Sequence, residues 1–256
     1  MLLLPGAEPF THEGSAIGVL LCHGFTGSPQ SLRPWAEHLA AQGLTVSLPL
    51  LPGHGTRWQD LQRTGWQDWY ATVDRELREL SRRCDQVFLC GLSMGGALAL
   101  RLAARRGAAV SGVALVNPAV TFPRFKGYAL PLLRFLVPSA PGLISDIAKG
   151  GGRETGYERV PLHAAYSTRA LFALVRSELP QVTQPLLVLR SRVDHVVPPT
   201  DTVLVVSSVS STDVTEHVLE SSYHVATLDH DAERIFQETD AFITRLATRK
   251  TARDGT

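Results

Sequence analysis

The chain has 256 residues, with 25 basic and 24 acidic side chains and a formal net charge of +1. That length suits one large α/β domain, alone or with an insertion, and needs no disulfide staple. Charges that nearly cancel leave no global field to gather nucleic acid or an anionic membrane, so a small uncharged substrate fits best.

Cys22, Cys84 and Cys90 are odd in number and show no metal-ligand spacing, which predicts free buried thiols, a reducing compartment and no metal site. Met1-Leu2-Leu3-Leu4 lacks a basic flank and stops at Pro5-Gly6, unlike a secretory signal. No apolar run reaches the ~18 residues that cross a bilayer. A cytoplasmic protein without stable membrane insertion is expected.

Ile17 to Cys22 is a continuous apolar run, the pattern of a strand buried on both faces, and it ends at His23-Gly24-Phe25-Thr26-Gly27. Ser28-Pro29 reads as an N-cap and first helical residue, with Trp35, Leu39 and Ala40 on one face and Gly43 closing the helix. Thr45 to Leu48 is the next short strand, followed by the loop Pro52-Gly53-His54-Gly55. The spacing of Trp66, Trp69, Val73, Leu77 and Leu80 predicts a helix from Gly65 to Arg83. It leads into Val87-Phe88-Leu89-Cys90, then Gly91-Leu92-Ser93-Met94-Gly95-Gly96, then the helix formers Ala97 to Leu102. A serine between two glycines at a strand-to-helix junction is what a nucleophile elbow requires. The turn is tight enough that side chains at 91 and 95 would collide with neighbouring chain, and Ser93 must adopt a strained backbone.

Val113 to Val116 is another buried strand, after which the alternation of strand and helix breaks at about Ala119. Residues 119–180 read as a cap inserted over the sheet edge: aromatic and leucine clusters from Phe122 to Leu136, Gly150-Gly151-Gly152, and a helical segment around Leu171 to Leu179. The cap's apolar side chains either line the cleft and touch lipid aggregates transiently or pack the cap onto the core. The core resumes with a strand at Leu186 to Leu189, a helix from Pro199 to about Val209, a strand at Thr215 to Leu219 and a last helix from about Asp231 to Leu246. The expected organisation is therefore core 1–118, cap 119–180, core 181–248 and a polar tail 249–256.

Asp194 and His224 each follow a late strand, in the chain order serine, acid, histidine that an α/β-hydrolase fold demands. The expected roles are Ser93 as nucleophile, His224 as base and Asp194 as the group that orients and stabilises the imidazole. His54 is the competing base and Asp229 the competing acid, the latter better read as a helix N-cap. Backbone N–H groups of Met94 and Phe25 are the candidate oxyanion donors, the second freed for close approach by Gly24 and Gly27. His23 reads as a loop-holding residue.

Ala7-Glu8-Pro9-Phe10, Gly18 to Gly27, Gly53-His54-Gly55-Thr56, Gly91 to Gly96, Asp194-His195-Val196-Val197-Pro198-Pro199 and Ser222 to Asp229 resemble the bacterial monoacylglycerol lipases and related carboxylesterases. The resemblance implies an α/β-hydrolase fold, with a mostly parallel sheet, helices on both faces and a small cap inserted after the sixth core strand. It implies hydrolysis of monoacylglycerols and short esters with no cofactor, a lipid ester as the only ligand, and an acidic cap residue that contacts glycerol. Tyr157-Glu158 matches that position, Glu158 being either this contact or an exposed surface glutamate. The neighbouring readings are a general carboxylesterase or thioesterase and, from another class, a non-catalytic receptor for a hydrophobic ligand.

Overall fold

The computed structural model describes residues 2–122 and 124–254, and the side chains of 2–122 and 130–248. In chain order the elements are β1 (Phe10–His12), β2 (Ile17–Cys22), α1 (Arg33–Ala41), β3 (Thr45–Leu48), α2 (Trp58–Leu61), α3 (Trp66–Ser81), β4 (Gln86–Leu92), α4 (Met94–Arg106) and β5 (Gly112–Val116). Then come α5 (Arg124–Leu136), β6 (Ser139–Pro141), β7 (Arg159–Pro161) and α6 (Leu162–Glu178). The chain closes with β8 (Leu186–Ser191), α7 (Pro199–Ser208), β9 (Val214–Leu219) and α8 (Ala232–Asp254).

The main sheet runs in the order β1-β3-β2-β4-β5-β8-β9, parallel throughout except for β1, which pairs antiparallel with β3. A parallel sheet needs helices on both faces, and that is why its central strands read as unbroken apolar runs. One layer of core packs Leu20, Leu89, Val113 and Val188 against Trp69, Leu98 and Leu171. The opposite layer packs Leu21, Phe88 and Leu187 against Trp35, Phe236 and Phe242.

Chain order switches direction at β2, whose neighbours are β3 on one side and β4 on the other. Crevices for ligands in open α/β sheets form at such a point, beyond the carboxyl ends of the strands. Cys22 of β2 lies opposite Gly91 of β4, so the loops that begin at His23 and Ser93 leave neighbouring strands at one edge.

Four boundaries differ from the sequence reading. The insertion follows the fifth strand of the chain, not the sixth, because only the antiparallel edge strand β1 precedes β2. The helix expected around Leu171 begins at Leu162, since its first turns bury small residues, Ala164, Ala165 and Thr168, that give no leucine rhythm. The last helix continues past Leu246 to Asp254, into the segment expected as a polar tail. Ser28 caps no helix with its side chain: a 3-10 turn at Pro29–Leu32 comes first, and Ser28 Oγ donates instead to Thr155 O of the insertion at 2.7 Å.

Candidate active site

Ser93 stands between the last residue of β4 and the first of α4, with φ 56° and ψ −121°. A positive φ in a residue with a side chain is strained, and it persists here because the surroundings leave no alternative. A Cβ at Gly91 would lie 2.5 Å from Gly95 O, and one at Gly95 would lie 1.9 Å from Cys22 O. Glycine at both positions lets β4 turn directly into α4 against the end of β2. Ser93 N–H donates to Val116 O, and Ser93 O accepts from Gly96 and Ala119, so three hydrogen bonds, from α4 and from the end of β5, clamp the backbone of the strained residue.

Asp194 and His224 come from the loops after β8 and β9, which pair in parallel. His224 Nδ1 lies 2.8 Å from Asp194 Oδ2, and both side chains are buried. The other carboxylate oxygen accepts the Val196 and Val197 N–H groups at 2.8 Å each, which fixes the acid while leaving one oxygen for the imidazole. A carboxylate facing Nδ1 keeps the proton on that nitrogen and the lone pair on Nε2. Asn117, the residue after β5 and itself at φ 44°, ties these loops to the sheet. Its amide donates to Ser191 Oγ at 3.0 Å and to His224 O at 2.8 Å, and its carbonyl oxygen accepts from Ser191 N–H at 2.7 Å.

Gly24 brings the β2 loop against the serine, since a Cβ there would lie 3.5 Å from Ser93 Cβ. Neither the Phe25 nor the Met94 N–H is committed to a hydrogen bond among the described residues. Both sit beside Ser93, Met94 as the first residue of α4, where the helix dipole favours negative charge. His23 holds the loop from beneath: its Nδ1 bonds to Gly24 O at 3.0 Å and its Nε2 accepts from Leu51 N–H at 3.2 Å. Burial pushes its pKa down to about 4, so it stays neutral. His54 is equally buried, packed edge-on against His23 at 5.0 Å and Trp69 at 5.5 Å. Burial and then the proximity of His23 hold its pKa well below the ordinary range. A base locked in that position is a wall, not a proton shuttle.

Glu158 is exposed, and its backbone carbonyl accepts from Gly142 N–H. The acidic insertion residue beside the site is Glu154, four positions earlier. Its Oε1 lies 2.6 Å from where a Cβ on Gly27 would be, two residues past Phe25. Burial raises its carboxyl above the ordinary range, and the charge of His224 pulls it the other way. The sequence signal for this residue is the glycine two positions on: a Cβ at Gly156 would meet Thr26 O at 2.6 Å, so Gly156 lets this strap lie against the β2 loop. Tyr157 N–H then donates to Thr26 O, and Tyr157 Oη donates to Gly53 O.

Asp229 is neither acid partner nor side-chain N-cap. It accepts four backbone N–H groups, from Tyr223, Ala148, His230 and Lys149, which outweigh the cost of burial and lower its pKa. Burial raises the Cys22 thiol to about 12 and that of Cys90 well above the ordinary range, so neither competes with Ser93 as a nucleophile. Among the described residues no cluster of three or more acidic, histidine or cysteine side chains could hold a metal ion.

A family model described as "Alpha/beta hydrolase family" matches residues 19–238. The chain is 39% identical over 250 residues to a thermostable monoacylglycerol lipase of Bacillus sp. (strain H-257), covering 96% of this chain and 97% of the relative. It is 26% identical over 247 residues to a carboxylesterase of Bacillus subtilis (strain 168), covering 93% and 97%. A solved structure of a metagenome-derived lipolytic enzyme superposes with a TM-score of 0.93 at 41% identity, covering 95% of this chain and all of that one. The monoacylglycerol lipase of Paleococcus ferrophilus shares the fold, with a TM-score of 0.77 at 20% identity over 97% of this chain and 99% of the other. With these matches running nearly end to end over the elbow and the acid–base loops, the chain belongs to the alpha/beta hydrolase family, among the bacterial monoacylglycerol lipases and carboxylesterases.

Proposed function

We propose that the chain hydrolyses monoacylglycerols, and short carboxylic esters with them, to a fatty acid and an alcohol through an acyl-enzyme on Ser93. It is a carboxylic ester hydrolase. One observation carries the reading of the site: a buried imidazole faces a carboxylate through Nδ1 at 2.8 Å, at the sheet edge where a strained serine opens a helix. His224 Nε2 takes the Ser93 hydroxyl proton as Oγ attacks the ester carbonyl, and Asp194 stabilises the imidazolium. The oxyanion of the tetrahedral intermediate accepts hydrogen bonds from Phe25 and Met94 N–H. His224 returns the proton to the leaving alcohol, and water then repeats the sequence on the acyl-enzyme.

Glu154 gives the site its alcohol end, because a carboxyl group beside the β2 loop can accept hydrogen bonds from glycerol hydroxyls. Residues 119–180 act as the cap, and the exposed apolar side chains of α5 make transient contact with lipid aggregates. Three unpaired cysteines support a reducing, cytoplasmic setting. Ser93→Ala should lower kcat by roughly 10⁴ to 10⁶ with the fold intact, as removal of a triad nucleophile does. A variant that retains near-native ester hydrolysis overturns the assignment. A general carboxylesterase is the second reading, favoured by the carboxylesterase among the relatives. Comparing kcat/KM for monoacylglycerols with that for alkyl esters of the same acyl chain separates the two.

A further inference from the structure

The acid and base loops leave β8 and β9 side by side and touch directly, Ser191 Oγ donating to Tyr223 O at 2.8 Å and the His195 ring standing edge-on to Tyr223 at 4.7 Å, and a further tie between their tips comes from outside both strands. Asp146 lies in the insertion, just past β6, with its side chain nearly buried. Its Oδ2 accepts the backbone N–H of His224 and the backbone N–H of His195, the residue after Asp194, at 3.2 Å each. Its Oδ1 lies 2.8 Å from His195 Nδ1, and its own carbonyl oxygen accepts from Val225 N–H at 3.0 Å. One carboxylate oxygen thus touches the peptide of the base and the peptide next to the acid. The same segment is fastened a second time, where the Ala148 and Lys149 N–H groups donate to Asp229 of the histidine loop at 2.6 and 2.8 Å.

We propose that Asp146 is a positioning residue, a carboxylate of the insertion that holds the Asp194 and His224 loops in the mutual register their 2.8 Å contact requires. The proposal rests on the reading of Asp194 and His224 as acid and base. Asp194 spends Oδ1 on its own loop, and Asn117 holds His224 only through its carbonyl. Asp146 adds a link that these contacts do not make, one carboxylate oxygen shared by the His195 and His224 N–H groups. Without it each loop stays folded, but the distance between imidazole and carboxylate is no longer set. Misplacement of a catalytic group by about 1 Å costs up to ~10²-fold in rate.

The test uses the full chain with Asp146→Ala, Asp146→Asn and His195→Ala, each measured for kcat and KM on a soluble ester and for the downfield resonance of the His224 Nδ1 proton. Asp146→Ala should lower kcat by roughly 10- to 100-fold with KM within about threefold, and should broaden or abolish that resonance. Asp146→Asn keeps a carbonyl oxygen for the two peptide N–H groups and should return kcat to within about fivefold of the parent, while His195→Ala stays within about threefold. A folded Asp146→Ala protein with parental kcat and an unchanged resonance overturns the proposal, and so does an Asp146→Asn variant as impaired as the alanine. Should the alanine variant not fold, Asp146→Ser goes through the same measurements, and a parental resonance there overturns it equally. His224→Ala separates the two levels: if that variant remains active, the acid–base reading itself has failed.

Discussion

A methyl group at residue 95 would stand 1.9 Å from Cys22 O, a distance that no side-chain rotation relieves because both partners are backbone. Gly95→Ala should therefore push β4 and α4 off β2, at a cost of roughly 1–3 kcal/mol or more, and misplace Ser93 as well. Urea unfolding and ester turnover on the same sample check it: stability and kcat should fall together. At Glu154 the loss should be selective. Glu154→Gln keeps the shape but weakens acceptance from glycerol hydroxyls, so KM for a monoacylglycerol should rise roughly 10-fold, the size of one lost charged hydrogen bond, while KM for a methyl ester of the same acid changes little. Equal effects on both esters would remove Glu154 from the alcohol end.

At the scale of elements, the β2 and β3 loops meet over two neutral buried histidines. His23 has its pKa lowered from 6.5 to about 4, so the unfolded chain binds its proton more readily than the folded one. Stability from this group is present above about pH 6.5 and is lost as pH falls towards 4, a change of about 3 kcal/mol for His23 alone. His54 is shifted in the same direction, adding to the slope. Urea midpoints at pH 7, 6, 5 and 4 should fall progressively, and His23→Asn should flatten the curve.

The strands β2 to β5 and β8 are plain in the sequence because a two-sided parallel sheet writes itself as unbroken apolar runs, and the elbow because two glycines mark a backbone collision. Ser93 is marked by its flanking glycines, and Asp194 and His224 by their order and their places after late strands. Glu154 and Asp146 are not so marked. Each meets a loop that is distant in sequence and that only the folded insertion brings near, and the short strand β6 before Asp146 writes no apolar run. The pattern of β1, three residues at an edge, is too short for periodicity to register.

Over the whole molecule the apolar surface is uneven. Leu132, Phe135 and Leu136 on α5 are 75%, 68% and 78% exposed, with Leu133, Val137 and Leu143 also open. Among the described residues no helix is long and apolar enough to cross a membrane. Contiguous exposed apolar groups of this kind mark contact sites. Leu136→Asp with Phe135→Asp should reduce co-sedimentation with neutral phosphatidylcholine vesicles several-fold while leaving kcat on a soluble ester unchanged, since each lost apolar contact weakens partition by its buried area. Unaltered sedimentation would return these residues to the role of ordinary surface.

The strap at residues 153–157 has a consequence for anyone recombining such proteins. Its atoms are bonded to Thr26, Ser28 and Gln30 on the β2 loop and the turn after it, so it belongs to the wall beside the serine although the chain delivers it with the insertion. A chimera cut at 119 and 180 would import a foreign wall together with the rest of the insertion. Grafts that exchange only residues up to about 144, upstream of both Asp146 and the strap, should leave the wall beside the serine native.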